Sequence, residues 1–434
     1  MTMKTPLFLS LAGLSLAFAT PANAEPDGDV TYVIQPGDTL YDLAQDYLSD
    51  ASAMGEVRFE NGISRPRLLQ IGQPITIPRR LLKFEPVSLS LRSFSGRVTV
   101  EKGGRAVAAS EGQPVPEGAI VSTGANSFVA IGGEDGTVIT LPSNSRIRIV
   151  DARRYAINDK IDVQVKVLKG RGTIRAPKID GEARFRAGTP LAVTAVRGTE
   201  FRVAFIDDRG VSLTEVVEGE VAVQQGDEAL ITPSGFGVAS TELGLADREA
   251  LLEAPELIEG SKIQTAENIT FAIAGIDGAT AYRTQLARDA GFLEIIDENV
   301  SEAPEAVFAE LEDGRYFVRA RAIASSGLEG LAKPYNFRRK RVGASAGAEP
   351  SPLADTIKFA WQAQGKGESF HAFQLWRADA PQTLIIDEVG LTNSAILIGD
   401  IEPGKYVWRA ATFLIDEGEV VKIWTPAQEI ELTE

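Results

Sequence analysis

The chain has 434 residues, with 60 acidic against 44 basic side chains and a formal net charge of −16. That balance excludes a nucleic-acid partner, because phosphate contacts require a basic face. With no cysteine and a single histidine, disulfides, thiolate metal sites, a cysteine nucleophile and a lipoprotein-type cysteine anchor are excluded, and neither a metal site nor a cofactor is expected.

The first 24 residues read as a secretory signal peptide. Lys4 supplies a positive start, "PLFLSLAGLSLAFA" an apolar run, and Ala22-Asn23-Ala24 the small-x-small pattern that precedes cleavage. The run is shorter than the ~20 apolar residues of a spanning helix, and no later stretch is apolar enough to span. Cleavage after Ala24 removes one lysine and no acid, so the exported chain is more acidic still. Exported and cysteine-free, it is expected in a bacterial periplasm, within a Gram-negative envelope and without a transmembrane span.

Residues 30–79 mix strand and helix signals. "TYVI" is a short apolar strand, and Pro36-Gly37-Asp38 is a tight turn. Thr39 and Asp42 stand at capping-box spacing, with Asp in place of Glu. Leu40, Leu43, Ala44, Tyr47 and Leu48 then fall on one helical face. A second short helix is expected from Ser52, with Asn61-Gly62 as its stop, and "QPITIP" supplies a strand to pair with the first. This β-α-α-β unit resembles the LysM module, through "YVIQPGDTLYDLA", "EN" and "LLQIGQPITIP". The resemblance implies binding of the N-acetylglucosamine-containing glycan of peptidoglycan or chitin in a shallow groove between two loops. Carried onto this sequence, the glycan-binding residues are Gly37, Asp38, Thr39 and Leu40 on one side and Asn61, Gly62, Ile63 and Ser64 on the other. Leu40 and Ile63 are expected to meet the acetamido methyl and the flat ring face.

From residue 86 to 241 the pattern is β throughout. In "KIDVQVKVLKG", Ile161, Val163, Val165 and Val167 alternate strictly with polar residues, the period of a half-buried strand. "RIRIV" repeats the device, and Gly-rich turns recur at the spacing of an all-β roll or sandwich. The stretch "GQPVPEGAIVSTGANSF", then "RGTEF" from Arg197 and "VEGEV" from Val217, resembles the FecR domain. In the namesake of that family the domain relays the state of an outer-membrane receptor to a sigma factor across the inner membrane. That role needs a membrane span, which this chain lacks after its leader. Arg197 and Glu200 are expected to pair across a turn. Residues 242–260 read as a short helical connector.

The rest of the chain is duplicated. "LEDGRYFVRARAI" corresponds to "IEPGKYVWRAATF", and Asp297, Tyr316 and Arg319 recur ninety residues later as Asp387, Tyr406 and Arg409. Each copy, 255–340 and 350–434, resembles a fibronectin type III-like sandwich in its pattern, and "RRKRVGASAGAEPSP" between them has linker composition.

Enzyme readings fail for want of residues. "GASAG" matches a nucleophile-elbow string without the strand before it or the helix after it, and His371 alone would have to serve any serine triad. No acid pair stands in a recognisable motif. The fold class expected is mainly β and multidomain: a small βααβ LysM module, a FecR-like all-β domain and two β-sandwich repeats. The function expected is a non-enzymatic envelope protein that binds peptidoglycan and meets an envelope protein not identified by the sequence, with Tyr282, Trp361 and Trp376 as contact residues. The alternative is a LysM-targeted envelope enzyme or an accessory subunit of a cell-wall hydrolase.

Overall fold

A computed structural model describes residues 28–432, apart from residues 180, 310, 352, 354, 355, 366 and 417. The expected signal peptide lies outside the described residues. The chain is dominated by strands and divides into two compact units.

In the first unit, β1 (Val30–Val33) pairs antiparallel with β2 (Pro74–Ile77), Val30 opposite Ile77 and Val33 opposite Pro74. Between them lie α1 (Leu40–Tyr47), a 3-10 turn at Ala51–Ala53 and α2 (Met54–Glu60). Thr39 caps α1 as its spacing implies: its hydroxyl accepts the Asp42 amide at 3.2 Å and donates to the Asp42 carboxylate at 2.7 Å, satisfying one of the amides that every helix start leaves open. Leu40, Leu43, Ala44 and Leu48 are buried together with Val57, Ile75 and Ile77. Residues 154–160 belong to the same unit. Tyr155 is a fully buried part of its core, with Arg79 stacked 5.4 Å from the ring centre and Phe84 edge-on at 6.5 Å.

The second unit begins with the β region, whose two sheets share one long strand, Ile161–Arg175. Its first half pairs in parallel with Arg184–Gly188, and its second half lies antiparallel between Glu200–Ile206 and Val138–Leu141. Gly170 marks the changeover with φ +73, and a Cβ there would stand 2.6 Å from the Asn144 carbonyl oxygen and from Ser145 Oγ. Only glycine passes. The alternating valines of this strand are all buried in the layer between the sheets, beside Ile131, Ile147, Phe201 and Val223. Asp162, expected on the wet face, is also buried and accepts from Arg186 at 3.2 Å.

Two readings are corrected here. Residues 242–260 form no helix; they lay two short strands, Gly244–Leu245 and Glu249–Ala250, along Phe236–Thr241. The open hydrogen-bonding edge of that strand outweighs the helical spacing of the leucines. The proposed linker is likewise a strand, Gly343–Pro350, paired along its whole length with Thr356–Gln364.

The two copies of the repeat fold alike. In the first, a three-stranded sheet of Leu257–Ile258, Ile269–Ile273 and Glu305–Phe308 faces a four-stranded sheet built around Ala279–Ala287 and Gly314–Ala324. In the second, a three-stranded sheet faces a five-stranded one built around Glu368–Arg377 and Gly404–Asp416, the extra strand, Gln428–Leu432, pairing with the start of Gly404–Asp416. Tyr316 donates to the Glu312 carbonyl at 3.1 Å, and Tyr406 to that of Glu402 at 2.7 Å, the tyrosine corner of such sandwiches. Arg319 donates to Gln285 as Arg409 does to Gln374. The register moves one equivalence: Gln285 bonds Glu298 where Gln374 bonds Asp387, so Glu298, not Asp297, is the counterpart of Asp387.

Candidate functional site

The two loops of the LysM-like unit are tied at several points. Ile34 exchanges backbone bonds with the second loop, accepting from Gly72 at 2.9 Å and donating to Gln73 at 3.0 Å. The Leu40 amide donates to the Pro66 carbonyl at 3.0 Å. Inside the first loop, one oxygen of the Asp38 carboxylate accepts from the Gln35 amide at 2.7 Å and from the Tyr32 hydroxyl at 3.0 Å. Burial, followed by that bond to Asp38, pushes the Tyr32 hydroxyl up to about 12, so it stays a donor at any physiological pH. Asp38 therefore shapes the turn.

In the second loop Asn61 acts as a piece of strand. Its amide nitrogen donates to the Thr76 carbonyl at 2.7 Å and the Val57 carbonyl at 2.8 Å, while its oxygen accepts the Thr76 amide at 2.7 Å. The end of α2 is thereby pinned to β2. Arg58 Nε donates to the Ile63 carbonyl at 2.9 Å, which further sets the loop.

Of the eight residues assigned to the groove, Gly37, Gly62 and Ser64 are exposed, Asp38, Thr39, Asn61 and Ile63 are half-buried, and Leu40 is buried at 2 % exposure. Leu40 is a correction: its side chain points into the core, so the ring-face contact expected of it cannot be made. Nothing lies within 4 Å of a Cβ built on Gly37 or Gly62, which leaves the backbone there open to a ligand. Sequence reasoning missed Tyr41, Leu68 and Ile71, exposed at 60 %, 72 % and 64 %. They flank the ties at Leu40–Pro66 and Ile34–Gly72. Their signal was available, since large apolar side chains off the buried helix face or in a polar loop lack a packing explanation.

Other expectations change with burial. Tyr282 and Trp361 are sandwich core, exposed by only 5 % and 4 %, and are removed as contact residues; Trp376 is half-buried, 5.7 Å from the Arg409 guanidinium. Glu200 pairs with Arg175 at 2.7 Å, not with Arg197, because these two side chains lie opposite each other across paired strands. His371 is buried, with Nδ1 3.1 Å from Thr412 Oγ1 and its ring edge-on to Trp361. Burial holds its pKa below the usual histidine value. Among the described residues no group of three or more acids or histidines is placed to hold a metal, and no helix is long and apolar enough to cross a membrane.

Comparison with known families matches two segments of the chain. Residues 32–78 match the LysM domain and residues 119–222 match the FecR protein family. The chain thus carries a LysM domain and a FecR domain, modules of binding and signalling and not of catalysis, followed by two β-sandwich repeats. A protein of Deinococcus radiodurans described only as uncharacterized is 39 % identical over 54 residues, which are 12 % of this chain and 21 % of that protein. This chain therefore spans about a fifth of that relative. Among solved structures, a Parabacteroides distasonis protein provisionally described as an anti-sigma factor is 16 % identical over 30 % of this chain and 59 % of its own, with a TM-score of 0.26. The FN1–FN3 segment of chicken CNTN1 is 12 % identical over 56 % of this chain and 95 % of its own, with a TM-score of 0.23.

Proposed function

We propose that this is a non-enzymatic protein of the Gram-negative periplasm that holds N-acetylglucosamine-containing glycan of peptidoglycan through residues 30–79. Its FecR-like domain, residues 86–241, and its sandwich repeats, 255–340 and 350–434, are presented to an envelope protein for interaction or sensing. The observation that carries the reading is the pairing of the two LysM loops through Leu40 and Pro66, with open backbone at Gly37 and Gly62 beside it. Backbone amides and carbonyls of that kind bond hydroxyl and acetamido groups, and exposed apolar side chains such as Tyr41 and Leu68 offer a face to the sugar ring. Glycan contact is assigned to the main chain of Gly37 and Gly62 and to the side chains of Ile63 and Ser64, with Asp38, Thr39 and Asn61 holding the loops in shape.

The test is co-sedimentation of the full chain with purified sacculi and with chitin. Ser64→Trp adds bulk at an exposed position without demanding a special backbone angle, and should abolish pelleting while leaving the unfolding transition in place. Gly37 is unsuited to this purpose because its φ of +97 strains any side chain. Failure of the unaltered chain to pellet with either glycan overturns the reading, and so does equal pelleting of Ser64→Trp.

A further inference from the structure

The first sandwich docks on the FecR-like region through buried charge. Glu329, in the loop after Gly314–Ala324, takes Arg283 at 2.7 Å, Arg171 at 3.1 Å and Arg321 at 3.3 Å. Its amide donates to Glu215 at 2.7 Å, and Glu215 also takes Arg202 at 2.5 Å and Arg171 at 3.1 Å. Glu298 takes Arg283 at 3.0 Å. Arg319 has no carboxylate among the described residues: it donates to Gln285 Oε1 at 2.9 Å and lies 3.9 Å over the Phe292 ring. The nearby Glu200 is already taken by Arg175.

Five guanidinium groups therefore face three carboxylates, and they surround a cavity of about 10 Å³. Arg321 lines it, is 5 % exposed, and buries its Nε without a hydrogen-bond partner. A guanidinium cannot shed its proton to escape this situation. A buried charge left uncompensated, and a buried donor left unbonded, each destabilise a fold.

We propose that this cavity binds one small inorganic anion of halide size, with chloride as its ordinary occupant. Such an ion supplies what the site lacks, an acceptor for the Arg321 Nε–H and negative charge against the excess of arginine. The volume is at the lower limit for a single water, so a halide, somewhat larger than water, enters with a small outward shift of the flexible arginine side chains, whereas phosphate, sulfate or a sugar acid does not fit. A water molecule would accept the hydrogen bond and leave the charge unbalanced. The residues come from both the FecR-like region (Arg171, Arg202) and the first sandwich (Arg283, Arg319, Arg321), so the ion fastens one to the other.

Thermal unfolding of the full chain at fixed ionic strength tests this, exchanging sodium gluconate for sodium chloride or bromide. Binding predicts a saturating rise in Tm with either halide. Arg321→Gln, which removes a charge and supplies its own polar atoms, should erase the halide dependence while unfolding in gluconate at or above the temperature of the parent. The same Tm for the parent in gluconate and chloride overturns the proposal, as does an unchanged halide response in Arg321→Gln. Should that variant fail to fold, crystals of the parent grown in bromide decide: an anomalous peak among the five arginines supports the site, and its absence, with bromide present, overturns it.

Discussion

The side-chain amide of Asn61 pairs with the main chain of Thr76 on both edges, giving at 2.7 Å and receiving at 2.7 Å. An asparagine at the end of a helix thus does the work of a neighbouring strand. Its placement beside the proposed glycan groove makes it look like a ligand contact, whereas its hydrogen-bonding capacity is spent inside the module. Asn61→Ala should cost about 2 kcal/mol, since it breaks several bonds and leaves the Thr76 amide and carbonyl to water. Urea denaturation of the full chain will read this as an earlier transition of the LysM-like unit, and glycan pelleting should be lost only where that unit has unfolded.

Tyr155 completes the core of that same unit although it lies far outside residues 30–79 in sequence. Tyr155→Ala should destabilise it by about 3 kcal/mol, the usual cost of deleting a buried aromatic ring. A fragment of residues 28–85 should melt below the corresponding transition of the full chain for the same reason. Circular dichroism melts of both proteins check the expectation.

The paired tyrosine corners give an internal control. Tyr316→Phe and Tyr406→Phe each remove one hydrogen bond to the carbonyl four residues earlier and should each cost about 1 kcal/mol. Hydrogen exchange should show the loosening confined to the copy that carries the substitution.

Two buried groups respond to acid in different windows. Burial holds the pKa of His371 below 6.5, so the folded sandwich prefers the neutral ring and the unfolded chain takes up the proton. Its stabilising contribution is present above pH 6.5 and is lost as pH falls through the depressed folded value. It is the only histidine in the chain. A decline in stability of the second sandwich as pH falls below 6.5 should therefore vanish in His371→Gln. Glu329 behaves differently: burial alone would raise its carboxyl, but Arg171, Arg283, Arg321 and Arg202 outweigh that and hold it well below the ordinary 4.5. Its contribution is present above 4.5 and is lost only as pH falls through the still lower folded value, so the junction should stay closed where the second sandwich has begun to weaken. Tryptophan fluorescence and hydrogen exchange across pH 7 to 3 separate the two.

Glu329→Gln should be among the most damaging single changes in the chain, about 3 to 5 kcal/mol, because it removes a buried carboxylate shared by the buried Arg321 and the half-buried Arg171 and Arg283. Calorimetry should show the FecR-like region and the first sandwich melting apart in place of together.

What the sequence determined by itself was everything that repeats along the chain or is settled within a few residues. The strict alternation at Ile161–Val167 placed a strand because each side chain chooses its face alone, Thr39 announced the start of α1, and the ninety-residue echo from Tyr316 to Tyr406 announced the duplicated sandwich. The LysM and FecR stretches were legible for the same reason, as runs of contiguous residues. The tertiary structure alone decided which side chains were left over for function. Leu40 turned inward because its helix face is the core, Asn61 was claimed by Thr76, Tyr282 and Trp361 were enclosed by the opposing sheet, and the leucines of 242–260 were drawn out along a free strand edge. The arginines around Glu329 are scattered over 150 residues of sequence, and their excess of charge exists only once two domains have brought them together. Burial and charge balance are properties of the packed neighbourhood, and no local pattern encodes them.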